Sequence, residues 1–227
     1  MDLKIDSNSV VIFDLDDTLY KEIDYLVSAY RHIALNIVKP TRKDLVEKML
    51  HHYYSGSNVF DWVLEEYSSV VPNLNKELLL NEYRNHVPNI ELDNATRFFL
   101  NSIKEKGIKS GLITDGRSVT QRNKLLSLGL KDYFDDIIIS EEFGSEKPDY
   151  RNFVFFENKY PEANFIYIAD NLNKDFIAPL NLGWQMVCIR DGNKNIHKQD
   201  IKLLPTNCIL VSDFTELQIK ITPKNNI

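Results

Sequence analysis

Short runs of apolar, often β-branched residues alternate along most of the chain with stretches in which apolar residues recur every three or four positions. Runs of the first kind are typical of buried strands, and stretches of the second kind are typical of helices with one buried face. Helical stretches include Thr96 to Lys106 and Arg117 to Leu128, the second ended by Gly129. The strand candidates are Val10 to Phe13, Lys109 to Thr114, Asp136 to Ser140, Phe165 to Ala169, Gln185 to Ile189 and Ile209 to Val211.

This alternation predicts an α/β fold, with a Rossmann-like, mostly parallel sheet and helices on both of its faces. In such sheets, ligands bind beyond the carboxyl ends of the strands. We therefore expect the functional residues in the polar clusters that directly follow the strand candidates.

The segment 20–94 differs, because it carries helical patterns and no convincing strand. Its first helix ends at Pro40 and presents an apolar face made of Ile23, Leu26, Tyr30, Ile33 and Ile37. Three more helices are predicted over Thr41 to Tyr54, Asn58 to Ser69 and Asn75 to His86. We expect an α-helical cap, residues 20–94, inserted in a core made of residues 1–19 and 95–227.

Composition narrows the class of protein. Of 227 residues, 43% are hydrophobic, which is enough to bury a substantial core. The net charge of −6, with scattered lysines and arginines, argues against a nucleic-acid binder, which needs a clustered basic face. Cys188 and Cys208 lack the spacing of a zinc site, and we expect free thiols rather than a disulfide.

The apolar runs are too short for membrane insertion or secretion. The longest, Phe165 to Ala169, falls far below the roughly twenty residues of a membrane helix. The run Val10 to Phe13 is too short for the core of a secretory signal. These features predict a cytoplasmic protein with no membrane partner.

The strongest chemical signal follows the first strand candidate, in the run Phe13-Asp14-Leu15-Asp16-Asp17-Thr18-Leu19. In an extended segment, Asp14 and Asp16 would ordinarily point to opposite faces. If the chain turns just after Asp14, both carboxylates can address one pocket, one as a nucleophile and one as a proton donor. The competing interpretation is that these aspartates are ordinary polar residues of a turn after a strand.

Three later clusters also follow strand candidates. The run Thr114-Asp115-Gly116 places a hydroxyl and free backbone N–H groups at a helix start, which suits an anion or a helix cap equally. Lys147 lies in a loop before Pro148, where a lone lysine is usually solvated. Asp170 and Asp175 offer hard oxygen ligands for Mg²⁺, or helix caps.

Taken in order, these motifs resemble the signature of the haloacid dehalogenase-like hydrolase superfamily: Asp-x-Asp-x-Thr, then Thr, then Lys-Pro, then Asp with a second Asp five residues on. The helical insertion between the first and second motifs is similar to this superfamily's first class of mobile cap. One departure is Ala169, where the family often has Gly. Because Ala is small, we expect only a modest constraint on the local backbone.

The resemblance implies roles for the first two motifs. Asp14 would be the nucleophile and a metal ligand. Asp16 would act as the general acid and base, and its backbone carbonyl would contact Mg²⁺. Thr114 would bind a phosphoryl oxygen, with help from a neighbouring amide such as that of Asp115.

The last two motifs would supply positive charge. The resemblance implies that Lys147 pairs with Asp14 and the phosphate, and that Asp170 binds the metal. Asp175 would bind the metal through water or orient Lys147. Phosphoryl transfer needs an in-line nucleophile and positive charge near the phosphoryl oxygens, and this set offers both.

Within the superfamily, the resemblance implies a phosphatase. Dehalogenases generally lack a carboxylate at the position of Asp16 and need no metal. Phosphosugar mutases remain an alternative, since they share the motifs and hold a second phosphate with cap residues; the candidates here are Arg31, Arg42 and Lys48. A non-catalytic binding module is the other alternative.

The expected substrate of a capped phosphatase is a small phosphorylated metabolite: a sugar, nucleotide, glycerol or amino-alcohol phosphate. Tyr20, directly after the first motif, and Tyr54 and Asn58, beside a turn between cap helices, are candidate substrate contacts. Packing of Tyr53 and Tyr54 within the cap is the competing interpretation.

Overall fold

A computed structural model describes residues 2–6, 8–39, 44–192 and 195–222. Its strands are β1 (Asp2–Asp6), β2 (Ser9–Phe13), β3 (Lys109–Thr114), β4 (Asp136–Ile139), β5 (Asn164–Ala169), β6 (Gln185–Ile189), β7 (Cys208–Val211) and β8 (Gln218–Thr222). Six of them form a parallel sheet in the order β4-β3-β2-β5-β6-β7. The predicted α/β fold is confirmed, and β2 lies in the middle of the sheet.

The six predicted strands are present, with ends that shift by one residue at most. Ser140, predicted as the end of a strand, instead begins a short helix. The sequence patterns did not predict β1 and β8, which pair in parallel as a separate two-stranded sheet. In β1, buried Leu3 and Ile5 alternate with polar residues, so the strand contains no apolar run.

All of the predicted helices are present among the described residues. The helices are α1 (Glu22–Ile33), α2 (Leu45–Tyr54), α3 (Val59–Tyr67), α4 (Lys76–Asn85), α5 (Asn94–Glu105), α6 (Ser118–Ser127), α7 (Ser140–Phe143), α8 (Tyr150–Lys159) and α9 (Ile177–Asn181). A π-helical segment, Ala34–Val38, continues α1. Short 3₁₀ turns span Ile201–Leu203 and Phe214–Glu216. No described helix has the length and apolar character that crossing a membrane requires.

Two cap helices begin one residue later than predicted, because the residue before each is an N-cap. The side chain of Asn58 accepts hydrogen bonds from Phe60 N and Asp61 N, and Asn75 accepts from Leu78 N. Pro40, the predicted end of the first helix, and residues 41–43 of the second lie outside the described residues.

Two hydrophobic clusters cover the two faces of the sheet. Alternate residues of β2 point to opposite faces, so Phe13 joins one cluster and Ile12 the other. Helices α1–α4 share a third cluster, which includes Ile33, Met49 and Val63. The free thiols of Cys188 and Cys208 lie on β6 and β7, the first buried and the second half-buried.

Candidate active site

The backbone turns sharply just after β2. Asp14 N donates to Ile168 O over 2.9 Å, which extends the pairing of β2 with β5 by one residue. Asp17 then adopts a positive φ of 59°. Its carboxylate stabilises the turn by accepting hydrogen bonds from Glu22 N at 3.0 Å and Ile196 N at 2.9 Å. The turn expected after Asp14 is therefore present.

The turn brings the four motifs to one cavity of about 150 Å³. The cavity is lined by Asp14, Asp16, Asp17, Glu22, Thr114, Asp115, Lys147, Asp170, Asn171, Lys174, Asp175 and His197. A larger cavity, of about 570 Å³, lies at the amino ends of β2, β5 and β6, and no motif residue lines it. The motif residues thus converge at the carboxyl edge of the sheet, as the fold predicts.

Lys147 is the buried cation of this site. Its Nζ lies 2.5 Å from Asp14 Oδ1 and 2.9 Å from Asp175 Oδ1. Burial would lower the pKa of Lys147, but the charges of Asp14 and Asp175 outweigh it and hold the pKa well above its ordinary value. Lys147 is therefore protonated, and it contacts the carboxylates of both Asp14 and Asp175.

The carboxylate of Asp115 fixes the loop that carries Lys147. Asp115 Oδ1 accepts from Lys147 N at 3.0 Å, and its Oδ2 accepts from Lys174 Nζ at 2.7 Å. The side chain of Asp115 thus has a clear role in positioning. Its backbone amide remains the candidate for an anion contact.

Three buried carboxylates, those of Asp14, Asp170 and Asp175, have oxygens within 4.8 Å of one another. Burial raises the pKa of Asp170 to about 9, and the nearby charges of Asp14 and Asp175 add to the shift. Burial likewise raises the pKa of Asp14 to about 7, against the opposing effect of Lys147. The cluster holds more negative charge than Lys147 balances, and its oxygens are the ligands that hard divalent cations prefer.

Asp16 has a different environment, because donors surround its carboxylate. Oδ1 accepts from Tyr20 OH at 2.5 Å and from Lys124 Nζ at 2.7 Å, and Oδ2 accepts from Gln121 Nε2 at 2.9 Å. Burial would raise the pKa of Asp16, but the charge of Lys124 and these hydrogen bonds outweigh it and lower the pKa. The pKa values of Asp14 and Asp16 are thus shifted in opposite directions, although the two residues lie only two positions apart.

The three predicted substrate contacts lie outside the described lining of the cavity. Tyr20 is buried and bonded to Asp16, Tyr54 is 71% exposed at the end of α2, and Asn58 caps α3. Tyr53, the neighbour of Tyr54, is partly buried and packs against the hydrophobic cluster shared by α1–α4. The role of Tyr20, Tyr54 and Asn58 in substrate binding stays a prediction.

Sequence reasoning missed Gln121 and Lys124, although a signal was present. Both fall on the buried stripe of α6, with Leu125 and Leu128, at helical spacing. Polar residues on an apolar stripe suggest a buried partner. Asn195, whose Nδ2 donates to Asp170 Oδ2 at 2.7 Å, comes from an irregular loop after β6 and left no such signal.

Comparison with known proteins agrees with this geometry. A sequence profile of the family described as haloacid dehalogenase-like hydrolase matches residues 11–189. The chain belongs to this family. As a haloacid dehalogenase-like hydrolase, it contains all four motifs of the family, and the resemblance found in the sequence is confirmed.

The hydrolase is similar to two archaeal proteins named glyceraldehyde 3-phosphate phosphatase. It is 29% identical over 193 residues to that of Methanocaldococcus jannaschii, across 80% of this chain and 85% of the relative. It is 30% identical over 206 residues to that of Methanopyrus kandleri, across 80% and 84%. The hydrolase is accordingly an enzyme of the phosphatase type.

The fold matches that of YfnB, a HAD-hydrolase from Bacillus subtilis whose structure was solved bound to magnesium. The TM-score is 0.66 at 20% identity, over 92% of this chain and 96% of the other. This likeness supports the fold of the hydrolase.

Proposed function

We propose that the hydrolase cleaves a small phosphomonoester with the help of Mg²⁺, through an aspartyl-phosphate on Asp14. The observation that carries this proposal is the contact of Lys147 with Asp14, beside Asp170, in a cavity that also contains Asp16 and Thr114. An attacking carboxylate, a fixed cation and a proton carrier are the parts that such a reaction needs.

In the first half-reaction, an oxygen of Asp14 forms a bond to phosphorus and the bond between phosphorus and the ester oxygen breaks. That oxygen takes a proton from the Asp16 carboxyl group, whose pKa the charge of the bound phosphate would raise, and leaves as an alcohol. Thr114 Oγ1 accepts a hydrogen bond from Gln121 Nε2 at 2.5 Å, so the hydroxyl proton of Thr114 is free for a phosphoryl oxygen. Lys147 offsets the repulsion between the phosphate and Asp14.

In the second half-reaction, the oxygen of a water molecule forms a bond to phosphorus and gives one proton to Asp16. The bond between phosphorus and Asp14 breaks, and inorganic phosphate leaves. Both carboxyl groups return to their starting states, so Asp16 serves as acid and then as base.

The cluster of Asp14, Asp170 and Asp175 fits a divalent cation, because its oxygens are buried, close together and only partly balanced by Lys147. Asp14, Asp170 and the backbone carbonyl of Asp16 would hold Mg²⁺. Asp175, which is bonded to Lys147, would orient that lysine or reach the metal through water. When bound, the cation neutralises charge on the phosphoryl oxygens.

The size of the cavity favours a small ester. Its volume of about 150 Å³ lies below the roughly 300–1,000 Å³ of sites for drug-sized ligands. The relatives named for glyceraldehyde 3-phosphate support a substrate of this size. A triose or glycerol phosphate is thus favoured over a nucleotide, and kcat/KM across a panel of phosphorylated metabolites tests the order.

Of the residues considered for a mutase, Arg31 is exposed, and Lys48 forms a salt bridge with Asp44 at 2.7 Å. Arg42 lies outside the described residues. Hydrolysis therefore remains the proposal.

Hydrolysis of p-nitrophenyl phosphate tests the metal requirement. EDTA should abolish turnover, because the carboxylate cluster would lack its counter-charge, and added Mg²⁺ should restore it. Full activity of metal-free protein would contradict the proposal.

Mass spectrometry of quenched reactions tests the nucleophile. The added phosphate should be on Asp14, and Asp14→Asn should carry none. A phosphate on Asp16, Asp17 or a serine would overturn the mechanism.

A further inference from the structure

Helix α6 presents two polar side chains to the active site from within the protein. Gln121 is 1% exposed and Lys124 is 3% exposed, and they lie one turn apart on the buried face of the helix. Both donate to Asp16. The phosphoryl-transfer chemistry described above does not require either of them to touch the substrate.

The ammonium group of Lys124 contacts charged and aromatic groups near Asp16. Its Nζ lies 2.7 Å from Asp16 Oδ1, 3.9 Å from Glu22 Oε1 and 4.5 Å from the centre of the Tyr25 ring. A lysine is rarely buried unless its charge is paired, because desolvation of the ammonium costs several kcal/mol. A leucine or methionine would fill this face of α6 more simply, so the pairing with Asp16 calls for a reason.

Gln121 joins two functional groups through one amide. Its Nε2 donates to Thr114 Oγ1 at 2.5 Å and to Asp16 Oδ2 at 2.9 Å. Thr114 is the proposed ligand of a phosphoryl oxygen, and Asp16 is the proposed proton carrier for the ester oxygen. The amide therefore fixes the distance between the phosphate-binding group and the proton-transfer group.

We propose that Gln121 and Lys124 are positioning residues for proton transfer, which hold the Asp16 carboxylate in register with the bound phosphate. The inference rests on the proposed function. Tyr20 contributes a third donor, to the same oxygen as Lys124, so both oxygens of Asp16 are held by hydrogen bonds. Such control of position matters because a proton carrier must lie within hydrogen-bond reach of the leaving oxygen.

Two aryl esters of similar shape separate this role from a structural one. Phenyl phosphate releases a phenol with a pKa of about 10, as in tyrosine, and depends on protonation. p-Nitrophenyl phosphate releases a much more acidic phenol and needs little protonation. Lys124→Met keeps the length of the side chain and removes the charge. It should lower kcat/KM for phenyl phosphate at least about tenfold more than for p-nitrophenyl phosphate, since general acid catalysis contributes roughly 10²- to 10⁴-fold.

A double substitution tests whether Lys124 acts through Asp16. In an Asp16→Asn background, adding Lys124→Met should leave the ratio of the two kcat/KM values unchanged, because the proton carrier is already absent. A further fall in that ratio would overturn the proposal.

Leu125→Ala is the matched control, because Leu125 is buried on the same face of α6 and has no polar group that could donate to Asp16. Any loss it causes should be equal for the two esters. Equal losses in Lys124→Met would show a merely structural role and overturn the proposal.

Gln121→Met, whose side chain is close in size to glutamine, should also lower kcat/KM more for phenyl phosphate than for p-nitrophenyl phosphate. If thermal unfolding shows that Lys124→Met does not fold, Gln121→Met provides the test instead. Wild-type protein that hydrolyses neither ester would instead contradict the proposed function itself.

Discussion

At the scale of single residues, the site separates two aspartates by the partners that each one meets. Asp14 shares its cavity with Asp170 and Asp175 and contacts Lys147, whereas Asp16 is surrounded by donors from Tyr20 and α6. Such different environments allow one carboxylate to attack and the other to carry a proton.

This separation predicts that Asp16→Asn stalls the reaction halfway. With p-nitrophenyl phosphate, Asp14 can still attack, because the leaving group needs little protonation, but water then lacks its base. We expect a burst of p-nitrophenolate close to one equivalent of enzyme, followed by very slow release of phosphate. Rapid-mixing absorbance and mass spectrometry of the trapped enzyme measure both. Steady turnover at the wild-type rate would contradict the role of Asp16.

The sequence led to the motif residues because each one directly follows a strand. Asp14, Thr114 and Asp170 close β2, β3 and β5, or follow them at once, so the fold rule alone brings them together. The partners of Asp16 arrive differently. Lys124 and Gln121 reach the site from within a helix, and their geometry depends on how α6 packs, which no local pattern records.

At the scale of elements, the packing of α8 on the sheet depends on a close approach between Gly111 and Phe156. A Cβ built on Gly111, in β3, would lie 2.3 Å from Phe156 Cε1. Phe156 belongs to α8, and its side chain is completely buried. The glycine thus lets α8 pack tightly on the centre of the sheet. Gly111 lies three residues before Thr114, so this contact also helps to position the end of β3 that we propose binds the phosphate.

Gly111→Ala should therefore destabilise the protein by about 1–3 kcal/mol, the usual cost of overpacking a well-filled core. Urea denaturation measures the change in the free energy of unfolding. Gly192→Ala is the matched control, because its Cβ would meet nothing within 4 Å and should change stability by less than about 0.5 kcal/mol. Equal stability of the two variants would show that Phe156 moves aside at no cost.

The sequence predicted the strands of the six-stranded sheet but missed the two strands of the separate sheet, β1 and β8. Buried central strands such as β2 carry continuous apolar runs and are easily found. In contrast, β1 alternates apolar and polar residues along its sequence, and its partner β8 lies about 210 residues away along the chain. The pairing of two weak patterns across such a separation is a tertiary effect that neither segment reveals alone.

At the scale of the whole molecule, helices α1–α4 have a hydrophobic cluster of their own, but Tyr25 of α1 belongs to the sheet cluster that contains Phe13, and Ile196 packs against the cluster of α1–α4. Polar contacts join the same two regions. Thr120 Oγ1 on α6 donates to Arg84 O at 3.0 Å, and Asn123 Nδ2 donates to Asn85 O at 3.0 Å. Lys21 Nζ donates to Asn195 Oδ1 at 2.7 Å. The junction is therefore mixed, and a movement of the predicted cap would have to separate apolar contacts as well as these hydrogen bonds.

We predict that the turn after α2, which follows Tyr54 and precedes Asn58, takes part in substrate selection. Burial raises the pKa of the Tyr53 phenol, and the charges of Glu22 and Asp17, which line the cavity, contribute to the shift. Tyr54, whose ring centre lies 5.3 Å from that of Tyr53, is exposed at the end of α2, and we predict that it contacts the leaving group.

Tyr54→Ala should consequently change kcat/KM unequally across a panel of phosphate esters, whereas Lys147→Ala should lower all of them together, because Lys147 meets the phosphate that every ester shares. Leu35→Ala is the control. Leu35 is 64% exposed but lies thirteen residues beyond Glu22 along α1 and its π-helical continuation, about 20 Å away by helical rise. Asn58→Ala, which removes the cap of α3, tests the other side of the turn. If Tyr54→Ala and Asn58→Ala changed every ester by one common factor, the cap would cover the site without choosing its substrate.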